Sequence, residues 1–458
     1  MGFVNVFEAL EQAASNAFVT LKLHDFFHEV LKKTDEDSDD RRWKLLTRIE
    51  IPVMRVLSEM ESAGVLIDTG RLKRLSETYG EEIDKLTDEA YALAGEKFNL
   101  NSALQLQNVL FTKLGLPVTD RSKSGQPSTS EDVLQKLSSD ITLKKNKLKS
   151  KGADLAGLVL KYRHLSKLKN TWLDTLPRAA DSNSRVRCTF NQGVTSTGRL
   201  SASNPNLQNI PARSNEGKEI RQAFIAPRGY KMLSADYSQI ELRVMANFSA
   251  DPTLLSAFRA GEDVHRATAA EIFHVKPENV SSEMRRRAKA INFGLIYGMS
   301  SYGLAAQIQV REPEARAMVS TYFKTYPGVQ GYMNKTLEEA RKRGYVSTLY
   351  GRRIHVPGVV ASRMAERRAA ERVAINAPVQ GTAADLIKVA MVNLSRRLKN
   401  EKLPARITLQ VHDELVLEVQ EGAVETVSKV IREEMEGAMP ELGIPLVVNI
   451  DVGNHWCH

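Results

Sequence analysis

The sequence predicts an α+β fold that carries a large helical insertion. Three observations lead there: short strand patterns far apart in the chain, long helical patterns between them, and two alternating segments, Ile407–Val411 and Leu415–Val419, joined only by His412-Asp413-Glu414. The chain has 458 residues, which at roughly 100–200 per domain fits about three folding units. With 42% hydrophobic and 26% charged residues it has material for sizeable cores, so wholesale disorder is excluded. No apolar run reaches about 18 residues, so no membrane-spanning helix is expected. Glu8, Glu11, Gln12, Ser15 and Asn16 interrupt the segment where a secretory signal would need an apolar core. Cys188 and Cys457 rule out a disulfide scaffold and read as reduced thiols of an intracellular protein.

Taken in order, apolar residues at helical spacing run from Ser15 to Lys33, and the acidic Asp35–Asp40 follows as a linker. A second helical pattern covers Trp43–Ala63 through Ile49, Val53, Val56 and Met60, and Gly64 supplies its stop. Further patterns cover Arg71–Ala94 and Ser102–Leu114, before a loop rich in Ser, Gly and Pro at Asp120–Ser130. Between Lys144 and Lys169 stand eight Lys and one Arg against a single Asp, which reads as an exposed helix pair or as a surface that follows a phosphate backbone. Arg185–Phe190 and Lys231–Ala235 are strand candidates. Helices are expected at Met284–Tyr297, Glu312–Thr325, Arg363–Asn376 and Thr382–Lys399, the last two kept apart by Pro378.

Several residues could carry chemistry. Asp236 follows an apolar strand, and Asp413 and Glu414 sit at a hairpin tip. If those strands are neighbours, three carboxylates converge, and such a cluster calls for a hard cation such as Mg²⁺; otherwise they are solvent-facing turn residues. Arg285, Lys289, Phe293 and Tyr297 recur every four residues as a stripe, cationic then aromatic, suited to phosphates and a stacked base, or to an amphipathic helix with its rings in the core. Arg199, Asn206, Gln208, Asn209 and Arg213 lie in a polar segment that could touch phosphates and minor-groove edges. Arg372, Asn376 and Gln380 repeat at the same helical spacing. A net charge of +9 hints at a polyanionic partner. No nucleophilic triad, P-loop, dinucleotide fingerprint or zinc motif is present.

Together these segments resemble the family A DNA polymerases, especially the Klenow-type large fragment of the bacterial enzymes. DYSQIE at Asp236–Glu241, RRRAKAINFGLIYG at Arg285–Gly298 and VHDE at Val411–Glu414 are similar to the three polymerase motifs in order and spacing, and STGRLSASNPNLQNIP and INAPVQGTAAD at Ile375–Asp385 match as well. The resemblance covers about residue 45 to the C-terminus. It implies a right-hand polymerase fold, with a palm holding an antiparallel sheet, helical fingers and a helical thumb, preceded by a remnant of an exonuclease-like domain. The implied parts are 1–40 for the remnant and linker, 41–184 for the thumb, 185–245 and 366–458 for the palm, and 246–365 for the fingers.

The implied activity is template-directed DNA synthesis from dNTPs on a primer-template duplex, in replication and repair. Asp236, Asp413 and the Tyr237 carbonyl would hold two Mg²⁺ ions, for which Mn²⁺ can substitute, with Glu414 nearby. Arg285, Lys289 and His265 would hold the triphosphate, Phe293 the sugar and base, and Tyr297 the template-base position before closure. Gln239 belongs to the same nucleotide site, and Glu241 resembles the steric gate against a ribose 2′-hydroxyl. Arg199, Asn206, Gln208, Arg213, Arg372, Asn376, Gln380 and His412 would contact DNA. A monomer in a bacterial cytoplasm, associated with the nucleoid, is expected; a phage or organellar relative would carry the same segments.

The departures are equally informative. Gln12–His24 looks like the tail of the proofreading domain, yet the tyrosine and aspartate expected there fall on Gln12 and Asn16. No 3′→5′ proofreading is therefore expected, and the chain reads as a piece of a longer protein. The rivals are a single-subunit RNA polymerase, which Glu241 disfavours, a metal-dependent nuclease, and a non-catalytic duplex-binding module.

Overall fold

The computed structural model describes residues 6–34, 40–122, 124–212 and 214–456, so most of the acidic run and Arg213 lie outside the described residues. It divides into two units. One holds Met1–Ala63, Cys188–Gln208 and Arg228–Gly453; the other holds Gly64–Arg187, Asn209–Pro227 and Asn454–His458.

In the first unit the alternating hairpin forms as expected, with Ala405–Val411 paired antiparallel to Glu414–Gln420. Tyr230–Tyr237 joins the hairpin on the other side of Glu414–Gln420, and Val448–Gly453 completes a four-stranded antiparallel sheet. Leu233, Ala235, Leu415, Leu417 and Val419 make one face of the two inner strands apolar and buried, while the other face buries Met232 and Val416 together with Ser234, Glu414 and Glu418. Val448–Gly453 was not expected as a strand.

The helix Met364–Asn400 packs against Ala405–Val411, Ile240–Ser249 and Ile51–Ala63. Its 37 residues continue unbroken through Pro378, where two helices were expected. Proline there removes one intrahelical hydrogen bond at a cost of about 3 kcal/mol. Burial of Ala374, Ala377, Val379, Ala383, Leu386, Ile387 and Met391 outweighs it, since each large apolar side chain contributes roughly 1.5–3 kcal/mol. Gly381 belongs to this packing, because a Cβ there would lie 2.7 Å from Thr348 Cγ2 and 2.9 Å from the Thr197 carbonyl oxygen. Farther upstream, Ile51–Ala63 ends at Gly64, whose φ of +57° suits glycine. The first helix, Val6–Thr34, begins before its expected start.

The second unit is mostly helical. Asp68 accepts a hydrogen bond from the Arg71 backbone N–H and starts Thr69–Ala94, which ends at Gly95 with φ +72°. Lys147–Leu168 packs beside it, and Glu131–Ser139 packs on Lys147–Leu168. The basic stretch is not a helix pair: a short turn at Leu143–Lys145 leads into one helix, capped by the Asn146 side chain on the N–H groups of Leu148 and Lys149. Its lysines face outward because Ala153, Leu155, Ala156 and Val159 occupy a core with Ala90, Leu106, Leu110, Leu134 and Leu137.

Candidate active site

Strand pairing brings the predicted carboxylates together. Asp236, near the end of Tyr230–Tyr237, stands opposite Glu414 on one side and Asn449 on the other. The hairpin turns at His412 and Asp413, with His412 in the left-handed region at φ +55°, and the Tyr237 N–H donates to the Asp413 carbonyl oxygen at 3.1 Å. Burial, followed by the nearby charges of Asp413, Glu414 and Asp451, pushes the Asp236 carboxyl up to about 7. Burial and Glu241 push Asp413 up to about 6, against the opposing pull of Arg199.

These two carboxylates thus crowd one another, and the donor set formed by Asp236, Asp413 and the Tyr237 carbonyl consists of hard oxygens that suit Mg²⁺. Among the described residues, no group of three or more His, Cys, Asp or Glu side chains forms a metal cluster, so the fit rests on two side chains and a backbone oxygen. That backbone is anchored, because the buried Tyr237 hydroxyl donates to the Met435 carbonyl at 2.6 Å. Glu414 is turned inward, where its carboxylate accepts from the Ser234 hydroxyl. Ser234 was not singled out in the sequence; it lies two residues before Asp236 on the same strand, a spacing that places both on one face.

The predicted stripe lies on Ser282–Ile296, a helix started by the Ser281 side chain. Arg285 is held by Asp263 at 2.6 Å, and the same carboxylate caps the neighbouring helix Val264–Phe273 through the N–H groups of His265 and Arg266. Arg286 and Arg287 pair with Glu283, while Lys289 is exposed one turn after Arg285. His265 is buried; its Nδ1 lies 3.0 Å from the Asn292 amide nitrogen, and its Nε2 has no partner among the described residues. Burial is the main reason its pKa falls to about 4, so the ring is neutral.

Aromatic rings continue the row. His265 and Phe293 have centroids 5.8 Å apart, and Phe293 and Tyr297 6.1 Å apart. Tyr297 lies just past the helix and donates its hydroxyl to Glu241, which accepts from Arg199 at 2.5 Å on its other oxygen. Glu241 sits in the first turn of Ile240–Ser249, entered through Gln239 at φ +54°.

The predicted DNA contacts are brought together in part. Arg199, Gln208, His412 and Asp413 line one cleft. Asn206 accepts from the Gln208 N–H at 3.2 Å, and the Gln208 side chain donates to Gln410 Oε1 at 2.9 Å and to its carbonyl at 3.1 Å. Gln410 in turn donates to the His412 carbonyl at 2.5 Å, an amide relay ending at the turn that presents Asp413. Gln410 was missed in sequence reading; its signal was a polar residue inside an apolar strand. Arg372, Asn376 and Gln380 lie on Met364–Asn400, Arg372 being exposed and the other two half-buried. The Arg372 side chain abuts Gly298, where a Cβ would lie 3.2 Å from its Cγ.

Residues 69–458 match the model of the DNA polymerase family A. The chain is 49% identical over 453 residues to DNA polymerase I of Pseudomonas aeruginosa, covering 98% of this chain and 48% of that protein. It is 46% identical over 422 residues to the thermostable DNA polymerase I of Thermus aquaticus, covering 92% and 49%. It is 42% identical over 427 residues to DNA polymerase I of Bacillus subtilis, covering 93% and 47%. The chain thus spans about half the length of these curated relatives. Among solved structures, the POL domain of Pol1 from M. smegmatis, in complex with DNA primer-template and dNTP, is similar with TM-score 0.84 and 43% identity, over 90% of this chain and 71% of that one.

Proposed function

The chain belongs to DNA polymerase family A, and from that premise we propose that it extends a primer 3′-hydroxyl with deoxynucleotides under the direction of a template, releasing pyrophosphate. The observation that carries this reading is the pair Asp236 and Asp413 at one end of the sheet, each with a raised carboxyl pKa, in the same unit as the Arg285–Tyr297 stripe. Asp236, Asp413 and the Tyr237 carbonyl would hold two Mg²⁺ ions, or Mn²⁺ in their place, which when bound lower the pKa of the primer hydroxyl and neutralise charge on the phosphate oxygens.

The chain's own residues do the rest. Arg285, released from Asp263, pairs with the triphosphate together with Lys289. Neutral His265 offers its unpartnered Nε2 to a phosphate oxygen, which its lowered pKa supports. Phe293 packs on the sugar and base, and Tyr297 holds the template-base position until the helix Ser282–Ile296 closes and excludes water. Glu241, fixed by Arg199 and Tyr297, fills the space a ribose 2′-hydroxyl would need, and Gln239 belongs to the same nucleotide site. Arg199, Asn206, Gln208, Arg213, Arg372, Asn376, Gln380 and His412 touch primer, template or minor-groove acceptors that all correct pairs share.

We read 41–184 as thumb, 185–245 with 366–458 as palm, 246–365 as fingers and 1–40 as exonuclease-like remnant and linker. The absence of proofreading is supported by Gln12 and Asn16, which form an amide pair at 3.1 Å on an exposed helix face. The protein acts as a monomer in a bacterial cytoplasm. Primer extension with dNTPs or NTPs, with and without Mg²⁺, tests the reading. Extension by dNTPs only, dependent on Mg²⁺ and without shortening of a matched primer, supports it; extension by NTPs indicates an RNA polymerase, and DNA binding without extension indicates a binding module.

A further inference from the structure

Behind the loop that carries Arg199 lies a buried set of four charges that the proposed chemistry does not use. Lys388 and Asp385 are fully buried, and the side chains of Glu50 and Arg352 are each 16% exposed. Lys388 Nζ donates to Glu50 Oε1 at 2.7 Å. Arg352 donates through Nε and Nη2 to Asp385 Oδ1, at 2.8 and 2.6 Å, and through Nη2 also to Glu50. Thr348 donates to Asp385 Oδ2 at 2.7 Å, and the Gln192 amide to Glu50 Oε2 at 2.6 Å. A buried charge set of this kind is often no more stabilising than apolar residues of the same volume, so stability alone does not account for it.

Two glycines show what the set supports. Gly198 has φ +83°, and a Cβ there would fall within the Arg352 side chain, 2.6 Å from Cζ and 2.8 Å from Cδ. Its backbone therefore rests directly on the guanidinium group. Gly381 lets Met364–Asn400 approach the same loop, where a Cβ would lie 2.9 Å from the Thr197 carbonyl. Within the loop, Thr195 Oγ1 donates to the Arg199 carbonyl at 2.6 Å. Arg199 then reaches Glu241, whose second oxygen accepts from Tyr297. A continuous series of contacts thus runs from the buried charges to the carboxylate read above as the barrier to ribose.

We propose that Arg352, held in its fork by Asp385 and Glu50, is a positioning residue for sugar discrimination, setting the height of the Gly198–Arg199 backbone and so the placement of Glu241. The inference rests on the ribose-gate reading of Glu241. A guanidinium is required because it meets the Gly198 backbone while donating through Nε and Nη2 to two carboxylates; an ammonium keeps the charge but has no planar fork.

The test compares kcat/KM for a dNTP and the matching NTP in wild type, Arg352→Lys, Gly198→Ala, Glu241→Ala and the Arg352→Lys/Glu241→Ala double variant, with primer-template binding and thermal melting measured beside them. Arg352→Lys and Gly198→Ala are each expected to lower dNTP-over-NTP selectivity by about 10-fold, below the ~100-fold that a 1 Å misplacement of a working group can cost. In the Glu241→Ala background, Arg352→Lys is expected to cause no further loss, because the residue acts through Glu241. If Glu241→Ala loses selectivity while Arg352→Lys and Gly198→Ala keep the wild-type ratio, or if the losses add in the double variant, the positioning role is overturned. If Glu241→Ala itself keeps wild-type selectivity, the gate reading falls and this inference with it. Should Arg352→Lys not fold, Gly198→Ala decides alone.

Discussion

Two regions of the first unit bury charge at close quarters, and they handle it in opposite ways. Around Arg352, the carboxylates Glu50 and Asp385 face Arg352 and Lys388, so the set balances internally. Burial alone would raise Glu50, but Lys388 and Arg352 outweigh it and hold its carboxyl below the usual range, while at the more deeply buried Asp385 burial prevails over Arg352 and raises the carboxyl. At the sheet's end, Asp236 meets Asp413, Glu414 and Asp451, and burial with like charge drives it up to about 7. The difference separates architecture from chemistry: a buried charge set that is complete in itself holds the chain in place, whereas one left negative is arranged for a cation from outside.

That contrast can be broken in several ways. The largest expected effect is on activity: Asp413→Asn should reduce primer extension by at least roughly 10³-fold, as for loss of a preorganised electrostatic group, without lowering the melting temperature in the absence of divalent ions. A lower melting temperature would place Asp413 with the architectural charges. Next, Lys388→Met leaves Arg352 as the single cation for Glu50 and Asp385 and should cost about 3–5 kcal/mol, read by urea unfolding. A cost under 1 kcal/mol would show that the set is not mutually dependent.

His265 sharpens the comparison at a neutral site. Its folded pKa of about 4 lies below the unfolded value near 6.5, so between those limits the unfolded chain binds more protons. Stability from this residue is complete above about pH 6.5 and falls as the pH drops toward 4, by up to about 3 kcal/mol. Urea titrations of wild type and His265→Gln across this window should diverge in that direction; parallel curves would remove the buried neutral imidazole from the account. The smallest effect belongs to the second unit, where Lys145→Ala and Lys149→Ala should each leave extension intact and reduce the salt slope of DNA binding by up to about 0.9, one phosphate contact apiece. An unchanged slope would make that basic stretch an ordinary solvated surface.

How much of this was legible in the sequence depends on the kind of signal. Asp236, Asp413 and Glu414 were readable because alternation at Leu415–Val419 and the apolar run before Asp236 fixed strands whose ends had to present them. The stripe Arg285–Tyr297 was readable because four-residue spacing survives folding unchanged, apart from Tyr297 falling just beyond the last turn. Val448–Gly453 alternated apolar and polar residues in the same way, but as an edge strand it leaves Val452 exposed and gives a weaker pattern. The continuous helix through Pro378 was hidden because local propensity opposes it and only tertiary burial decides. The Glu50–Arg352–Asp385–Lys388 set was invisible, since Glu50 lies 302 residues from Arg352 and 338 from Lys388, and Arg352 lies 33 from Asp385, separations that no local spacing connects.

Asp236 and Asp413 at the sheet's end are expected to perform the chemistry and not merely to bind DNA. Single-turnover extension by Asp236→Asn, on a primer-template shown by titration to be bound as tightly as by the wild type, tests it most directly. The expected result is extension reduced by at least roughly 10³-fold at every Mg²⁺ concentration with duplex affinity within a few-fold of wild type; Mg²⁺-dependent extension at near wild-type rate by Asp236→Asn would contradict it.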